Sequence, residues 1–193
     1  MGLTKQAKTL TKRQVALALA FMDQTRYPTR NRVILLLSVK AGLRAKEIAE
    51  LTWDMLTDPE GRLNDAIRLR NSASKGRNGG RVIPLNRELR AALEALYEVR
   101  GPSPYVVTSE RGPNTNSVVV VNLFAGWYRA PGFRGCSSHS GRRTFITNAA
   151  RQISTVGGSL RDVQVLAGHS ALGTTQRYIE ADVEAQRRIV GLI

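Results

Sequence analysis

The sequence predicts a mainly helical fold with one small antiparallel β-sheet set into it, an α+β domain that occupies residues 1–193 as a single unit. Three observations predict it. Apolar residues make up 42% of a 193-residue chain, enough for the core of one ordinary domain. Most of the length carries apolar residues at helical spacing, bounded by capping signals. Between Asp58 and Leu85 the period changes to alternation, around a stretch rich in Gly, Ser and Asn.

Each element has its own signal. Thr11 and Gln14 have the spacing of a capping box, with Leu10 and Val15 placed to staple across it, and they open a helix running to about Gln24. Pro28 suits the first turn of a second helix; its apolar run Val33–Val39 is expected to be buried, and Gly42 to end it. A short helix follows over Ala45–Leu51. Asp58-Pro-Glu-Gly61 is turn chemistry, Ala66–Arg70 and Arg81–Leu85 alternate as strands, and Asn71–Gly80 between them forms a long basic hairpin tip. Asn86 caps a helix marked by Leu89, Leu93 and Leu96 that ends near Gly101, and Tyr105–Thr108 reads as a brief strand. Helices over 116–129, 140–152, 159–168, 172–179 and 182–191 complete the chain. Ser159 and Asp162 form a second capping box in this stretch, and Gly168 stops the helix they open.

Composition then narrows the function classes. A single cysteine, Cys136, excludes a disulfide framework within the chain and a zinc site built on cysteine pairs, and two histidines make a His-rich metal centre a poor fit. The apolar run Val33–Val39 is too short to span a bilayer, so a cytoplasmic protein with no membrane partner is expected. The charge points to a polyanion: 29 Lys and Arg stand against 15 Asp and Glu, a net +14, and arginine dominates the bases. A guanidinium grips phosphate oxygens through a planar fork, which an ammonium does not. The bases are also patterned. Residues 1–46 hold ten bases and one acid, residues 111–161 seven bases and no acid, while six acids gather at 47–65.

Three segments carry candidate chemistry: Ala41-Gly-Leu-Arg-Ala-Lys-Glu47, His139-Ser-Gly-Arg-Arg-Thr-Phe145, and Leu166-Ala-Gly-His-Ser170 with Thr174-Thr-Gln-Arg-Tyr178. Each places a phosphate-competent side chain at a helix end. His139 and Arg142, three apart, share a face if both lie on one helical turn. Each also has an ordinary explanation: a solvated arginine near a helix terminus, a surface His–Arg pair, a core tyrosine.

Taken together and in this order, the segments resemble the catalytic domain of the tyrosine recombinases, the phage integrase family, from about Leu10 to Tyr178. AGLRAKEIAELTWDML is similar to the family's first arginine segment, which implies Arg44 as a catalytic arginine and Glu47 as its supporting acid. SKGRNGGRVIPL resembles the hairpin that carries the catalytic lysine, here Lys75, although Arg77 in the same loop leaves a plain phosphate contact as the other reading. HSGRRTFIT supplies His139 and Arg142; LAGHSALGTTQRYIE supplies His169 and the nucleophile Tyr178. Lys46, Arg77, Arg81 and Arg143 are the expected DNA contacts.

The resemblance implies a site-specific recombinase that cuts and rejoins strands through a 3′-phosphotyrosine at Tyr178, with no cofactor, metal or ATP. Two arginines clamp the phosphate oxygens as negative charge builds on them. Lys75 protonates the departing 5′ oxygen, His139 helps remove the tyrosine proton, and His169 hydrogen-bonds the phosphate. Double-stranded DNA is the implied partner, bound by a homotetramer and assisted by a DNA-bending protein. Residues 181–193 form an apolar-faced helix that packs on its own domain or is exchanged between protomers. The pattern begins almost at Met1, so the expectation is a layout without the N-terminal clamp domain, similar to the short fimbrial-switch invertases. Gly141 stands where the family usually has leucine. A type IB topoisomerase, a DNA-binding regulator with little cleavage activity and a basic RNA-binding protein are the competing classes.

Overall fold

The computed structural model describes residues 6–73, 80–99, 101, 103–110, 112–178, 187, 190 and 191. Among them eight α-helices and one two-stranded antiparallel sheet follow in the predicted order. Helix α1 (Lys12–Met22) starts at the Thr11 capping box, in which Thr11 Oγ1 accepts the Gln14 N–H and Gln14 Oε1 accepts the Thr11 N–H. Helix α2 (Pro28–Ala41) begins on proline and is the central rod of the core, with Val33–Leu37 and Val39 all buried. It ends at Gly42, whose φ of +65° is the left-handed cap that glycine adopts without a Cβ penalty. Helix α3 (Ala45–Ala49) follows, then a 3-10 turn at Trp53–Met55.

Strands β1 (Ala66–Leu69) and β2 (Arg81–Pro84) pair in the register Ala66–Pro84, Ile67–Ile83, Arg68–Val82 and Leu69–Arg81. Ile67, Leu69, Ile83 and Arg81 face inward, and Val82 faces solvent. Helix α4 (Arg87–Glu98) is capped by Asn86, α5 (Ser117–Arg129) by Asn116. Helix α6 (Ser140–Gln152) runs into a 3-10 turn at Ile153–Val156, and α7 (Leu160–Ala167) opens on the Ser159–Asp162 capping box and ends at left-handed Gly168. Helix α8 (Leu172–Gln176) closes the described fold before Tyr178.

Helix α2 packs on α6, α4 and α1, while α3 packs on α5. The α2–α6 approach explains Gly141, because a Cβ built there would lie 2.3 Å from Ser38 Oγ on α2. A second, smaller apolar cluster, Ile146, Val163 and Ala167, joins α6 to α7. No helix among the described residues is long and apolar enough to cross a membrane.

Several expectations change. The brief strand at Tyr105–Thr108 reduces to one bridge, Tyr105 to Thr52, beside the Val106 N–H to Leu51 carbonyl bond. Helix α4 stops at Glu98 rather than near Gly101. The helix expected over 172–179 ends at Gln176, so Tyr178 lies in a turn just past it, its N–H on the Thr175 carbonyl. Gly173, Thr174 and Thr175 are weak helix formers, which limits this element to little more than one turn. The hairpin tip with Lys75 and Arg77 lies outside the described residues, as does the helix expected over 182–191 apart from Arg187, Val190 and Gly191.

Candidate active site

The site grows from the break between α2 and α3. Gly42 turns the chain, Leu43 is buried, and Arg44 becomes the N-cap residue of α3. Three residues on, the fully buried Glu47 reaches back to accept the Arg44 backbone N–H at 2.8 Å. A carboxylate in the first turn also meets the positive end of the helix. The same carboxylate takes the Arg44 side chain, Nη1 to Oε1 at 2.8 Å, so one acid fixes both the backbone and the guanidinium of Arg44.

Arg81 completes that cluster and is a correction to the sequence reading. Expected on the DNA face, its side chain is only 3% exposed and grips Glu47 bidentately, Nη1 to Oε1 at 2.9 Å and Nη2 to Oε2 at 3.0 Å. Its Nε–H goes to the Leu166 carbonyl at 2.8 Å. Burial works to raise the Glu47 pKa; the hydrogen bonds and charge of Arg81, with those of Arg44, outweigh it and hold the carboxyl below its ordinary range.

Arg142 enters from the first turns of α6. Its Nη1 donates to the Gly42 carbonyl and its Nη2 to the Ala167 carbonyl, both at 2.6 Å. Those carbonyls lie at the C-terminal ends of α2 and α7, where helix dipoles favour a cation. Burial, followed by repulsion from Arg44, pushes the Arg142 pKa down, yet a guanidinium still carries its charge at neutral pH. Its third contact, Nη2 to His169 Nε2 at 3.0 Å, settles the histidine tautomer. Arginine has no acceptor to offer, so Nε2 accepts and the ring proton is on Nδ1, donated to Thr175 Oγ1 at 2.9 Å. Burial, then the charges of Arg142, Arg44 and Arg81, push the His169 pKa down to about 4, which keeps the ring neutral. The expected phosphate contact of His169 therefore gives way to a different task in this arrangement, since its Nε2 is engaged in orienting Arg142.

Tyr178 stacks on His169 with ring centroids 5.4 Å apart and planes 26° from parallel. Helix α6 holds it from the other side: Thr147 Oγ1 donates to the Tyr178 carbonyl at 3.1 Å, and the Arg143 guanidinium lies 5.9 Å from the ring centroid. Arg143 also bonds Gln6 Oε1, so it links the surroundings of the Tyr178 ring to the N-terminal segment.

Direct contacts thus form two groups, Arg44 with Glu47 and Arg142 with His169 and Tyr178, which meet where Arg142 holds the Gly42 carbonyl two residues before Arg44. His139 is the exposed N-cap residue of α6, whereas Arg142 is buried, so the two do not share an inward face. Lys46 is exposed on α3. Sequence reasoning missed Thr175, Gln164, whose Nε2 holds the His169 carbonyl at 2.9 Å, and Thr147. Arg142 commits three of its five N–H donors and Arg44 one through its side chain, which leaves donors on two cations for an incoming anion.

The family model described as Phage integrase family matches residues 8–185. Tyrosine recombinase XerA of Thermococcus kodakarensis is 29% identical over 187 residues, covering 94% of this chain and 61% of the relative. Tyrosine recombinase XerC of Chromohalobacter salexigens is 33% identical over 165 residues, 83% of this chain and 51% of the relative. The chain thus spans between half and three-fifths of the length of these relatives. Among solved structures, the Tn1549 transposon integrase in complex with circular intermediate DNA superposes with a TM-score of 0.76 at 20% identity, covering 100% of this chain and 68% of the other. XerA recombinase superposes at 0.72, also at 20% identity, covering 96% and 65%. These two likenesses concern the fold, and the match over nearly the whole length settles the rest: this chain belongs to the phage integrase family, the tyrosine recombinases.

Proposed function

We propose that this chain carries the strand-cutting and rejoining chemistry of a site-specific DNA recombinase, with Tyr178 as the nucleophile. One observation carries the reading: the run of contacts from Arg142 through His169 ends on the Tyr178 ring, and Arg142 holds the Gly42 carbonyl beside the Arg44–Glu47–Arg81 cluster. The phenolic oxygen of Tyr178 attacks the phosphorus, the P–O5′ bond breaks, and the 5′ oxygen leaves with a proton. Arg44 and Arg142 hold the charge that gathers on the nonbridging oxygens, the largest task such donors perform in phosphoryl transfer. Family likeness gives Lys75 the proton for the leaving oxygen and His139 a part in removing the phenol proton, which calls for DNA to draw His139 inward. The phosphotyrosyl bond conserves the energy of the broken phosphodiester, so the 5′ hydroxyl of another strand can reverse the step.

The Tn1549 transposon integrase is bound to circular intermediate DNA, and XerH site-specific recombinase, a further structure of similar fold, to palindromic difH substrate, which supports double-stranded DNA as the partner. Lys46, Arg77 and Arg143 remain its proposed contacts at the site. A homotetramer on DNA, linked through residues 181–193, and a DNA-bending accessory protein complete the proposal. The protein is proposed to work in the cytoplasm.

Covalent trapping tests it. The full chain is incubated with nicked duplexes carrying sequences that flank its own coding region, beside Tyr178→Phe. The expected result is a protein–DNA adduct that survives denaturing electrophoresis and vanishes in Tyr178→Phe while DNA affinity is kept. Tight DNA binding with no adduct from any duplex would favour the DNA-binding regulator instead.

A further inference from the structure

We infer that Arg81 is a positioning residue, the counter-charge that lets Glu47 orient Arg44 without neutralising it. The inference rests on Arg44 and Arg142 as the phosphate clamp proposed above. A carboxylate used to aim an arginine has a built-in conflict. If Arg44 were the only cation on Glu47, the pair would be neutral, and Arg44 would meet a phosphate with its attraction cancelled.

The geometry resolves the conflict. Arg81 engages both Glu47 oxygens, at 2.9 and 3.0 Å, from a side chain that is 3% exposed, whereas Arg44 spends one side-chain N–H on Glu47 and stays 24% exposed. The buried partner takes the carboxylate charge, and the exposed partner takes only an orientation. Three guanidiniums and one carboxylate leave the cluster at a formal +2; without Arg81 it falls to +1.

Two further contacts extend the role. Arg81 Nε holds the Leu166 carbonyl, and a Cβ on Gly168 would lie 2.8 Å from Arg81 Nη1. The turn that delivers His169 is therefore seated directly on the Arg81 side chain. The place of Arg81 at the head of β2, opposite Leu69, connects this seat to the sheet.

The test compares Arg81→Met, Glu47→Gln and the double variant Glu47→Gln/Arg81→Met in the full chain. Inorganic tungstate serves as a phosphate mimic, and covalent trapping on nicked duplexes is the second readout. Arg81→Met removes one charge and should weaken tungstate about tenfold or more at the effective dielectric of such sites. The double variant returns the cluster to +2, keeps an oxygen to accept the Arg44 N–H, and leaves no lone buried carboxylate. It should recover most of what Arg81→Met loses in both readouts.

A residue that only braced the fold would not be rescued by removing a second side chain. A double variant as weak as Arg81→Met overturns the inference, and so does an Arg81→Met chain with undiminished tungstate affinity. Should Arg81→Met fail to fold, the double variant is set against Arg44→Ala: higher tungstate affinity than Arg44→Ala supports the inference, and equal loss overturns it. A wild-type chain that binds tungstate but forms no adduct counts against Tyr178 chemistry alone. One that does not bind tungstate overturns both readings.

Discussion

The proposed anion clamp and the proposed nucleophile are held by different parts of the molecule. Arg44 and Arg81 are locked through Glu47, and Arg142 is locked to the ends of α2 and α7, beside a core that includes Val33–Leu37 of the central helix. Tyr178 instead follows a helix of five residues and packs on the cluster of Ile146, Val163 and Ala167. The contrast separates two needs. A charge cluster that must be ready before the phosphate arrives is fixed in place, because preorganised donors need no rearrangement as charge develops. In the proposed reaction the nucleophile must approach and later leave the phosphorus, and Tyr178 is carried on the lightly anchored side.

Four measurements sharpen or break this contrast. The largest effect is expected from Glu47→Leu, which leaves Arg81 buried without its anion; a loss of about 3–5 kcal/mol in urea unfolding is the usual result of breaking a buried pair from one side. A loss below about 1 kcal/mol would mean that the clamp is not locked. Next, Val163→Ala trims the small cluster, with a cost of about 2 kcal/mol by the cavity scale. Its expected signature is slower adduct formation with tungstate affinity kept, and equal damage to both would erase the distinction. Thr175→Val is nearly isosteric and strands the His169 Nδ1–H, for about 1–2 kcal/mol. The same trapping assay should show a slower rate, since Arg142 loses a fixed partner.

The smallest effect is on pH. The unfolded chain takes up a proton near pH 6.5 that the folded His169 refuses until about pH 4, so its contribution is complete above 6.5 and declines as pH falls toward 4. Glu47, held below its ordinary value, adds a loss at more acid pH, as its folded carboxyl is protonated. Melting temperatures of wild type and His169→Gln across pH 4–8 should separate as pH rises from 4 to 6.5 and run parallel above it, and curves parallel throughout would remove the buried neutral ring from the account.

Much of this was legible before any coordinates. Thr11, Pro28, Gly42, Ser159 and Gly168 bound their helices because capping is local chemistry, and the order of the arginine, histidine and tyrosine segments pointed to one site. Arg81 shows where such reading fails. Its strand alternates, and the parity that buries Ile83 also buries Arg81, but an arginine in a basic stretch reads as surface until its buried partner is known. That partner, Glu47, is 34 residues away, a distance no spacing rule covers. His169 and Thr175 pose the same problem more mildly: the imidazole was visible as chemistry, but its tautomer depends on Arg142, 27 residues earlier. Tyr178 falls inside the helix that the sequence predicts over 172–179 but lies in the turn past its end at Gln176, because Gly173 and two threonines weaken a helix by degrees rather than marking its end.

The carbonyl partners of Arg142 have a consequence for the timing of activity. Gly42 precedes Arg142 by 100 residues and Ala167 follows it by 25, so the clamp closes only when both ends of the domain have met. A chain still leaving the ribosome with α7 unmade holds Arg142 by one carbonyl and has no His169 to fix its remaining hydrogens. Tyr178 arrives later still. On the proposed chemistry, the chain is thereby assembled in an order that completes the charged pocket late and adds the cutting group after it, so that an unfinished or half-unfolded molecule is a harmless one.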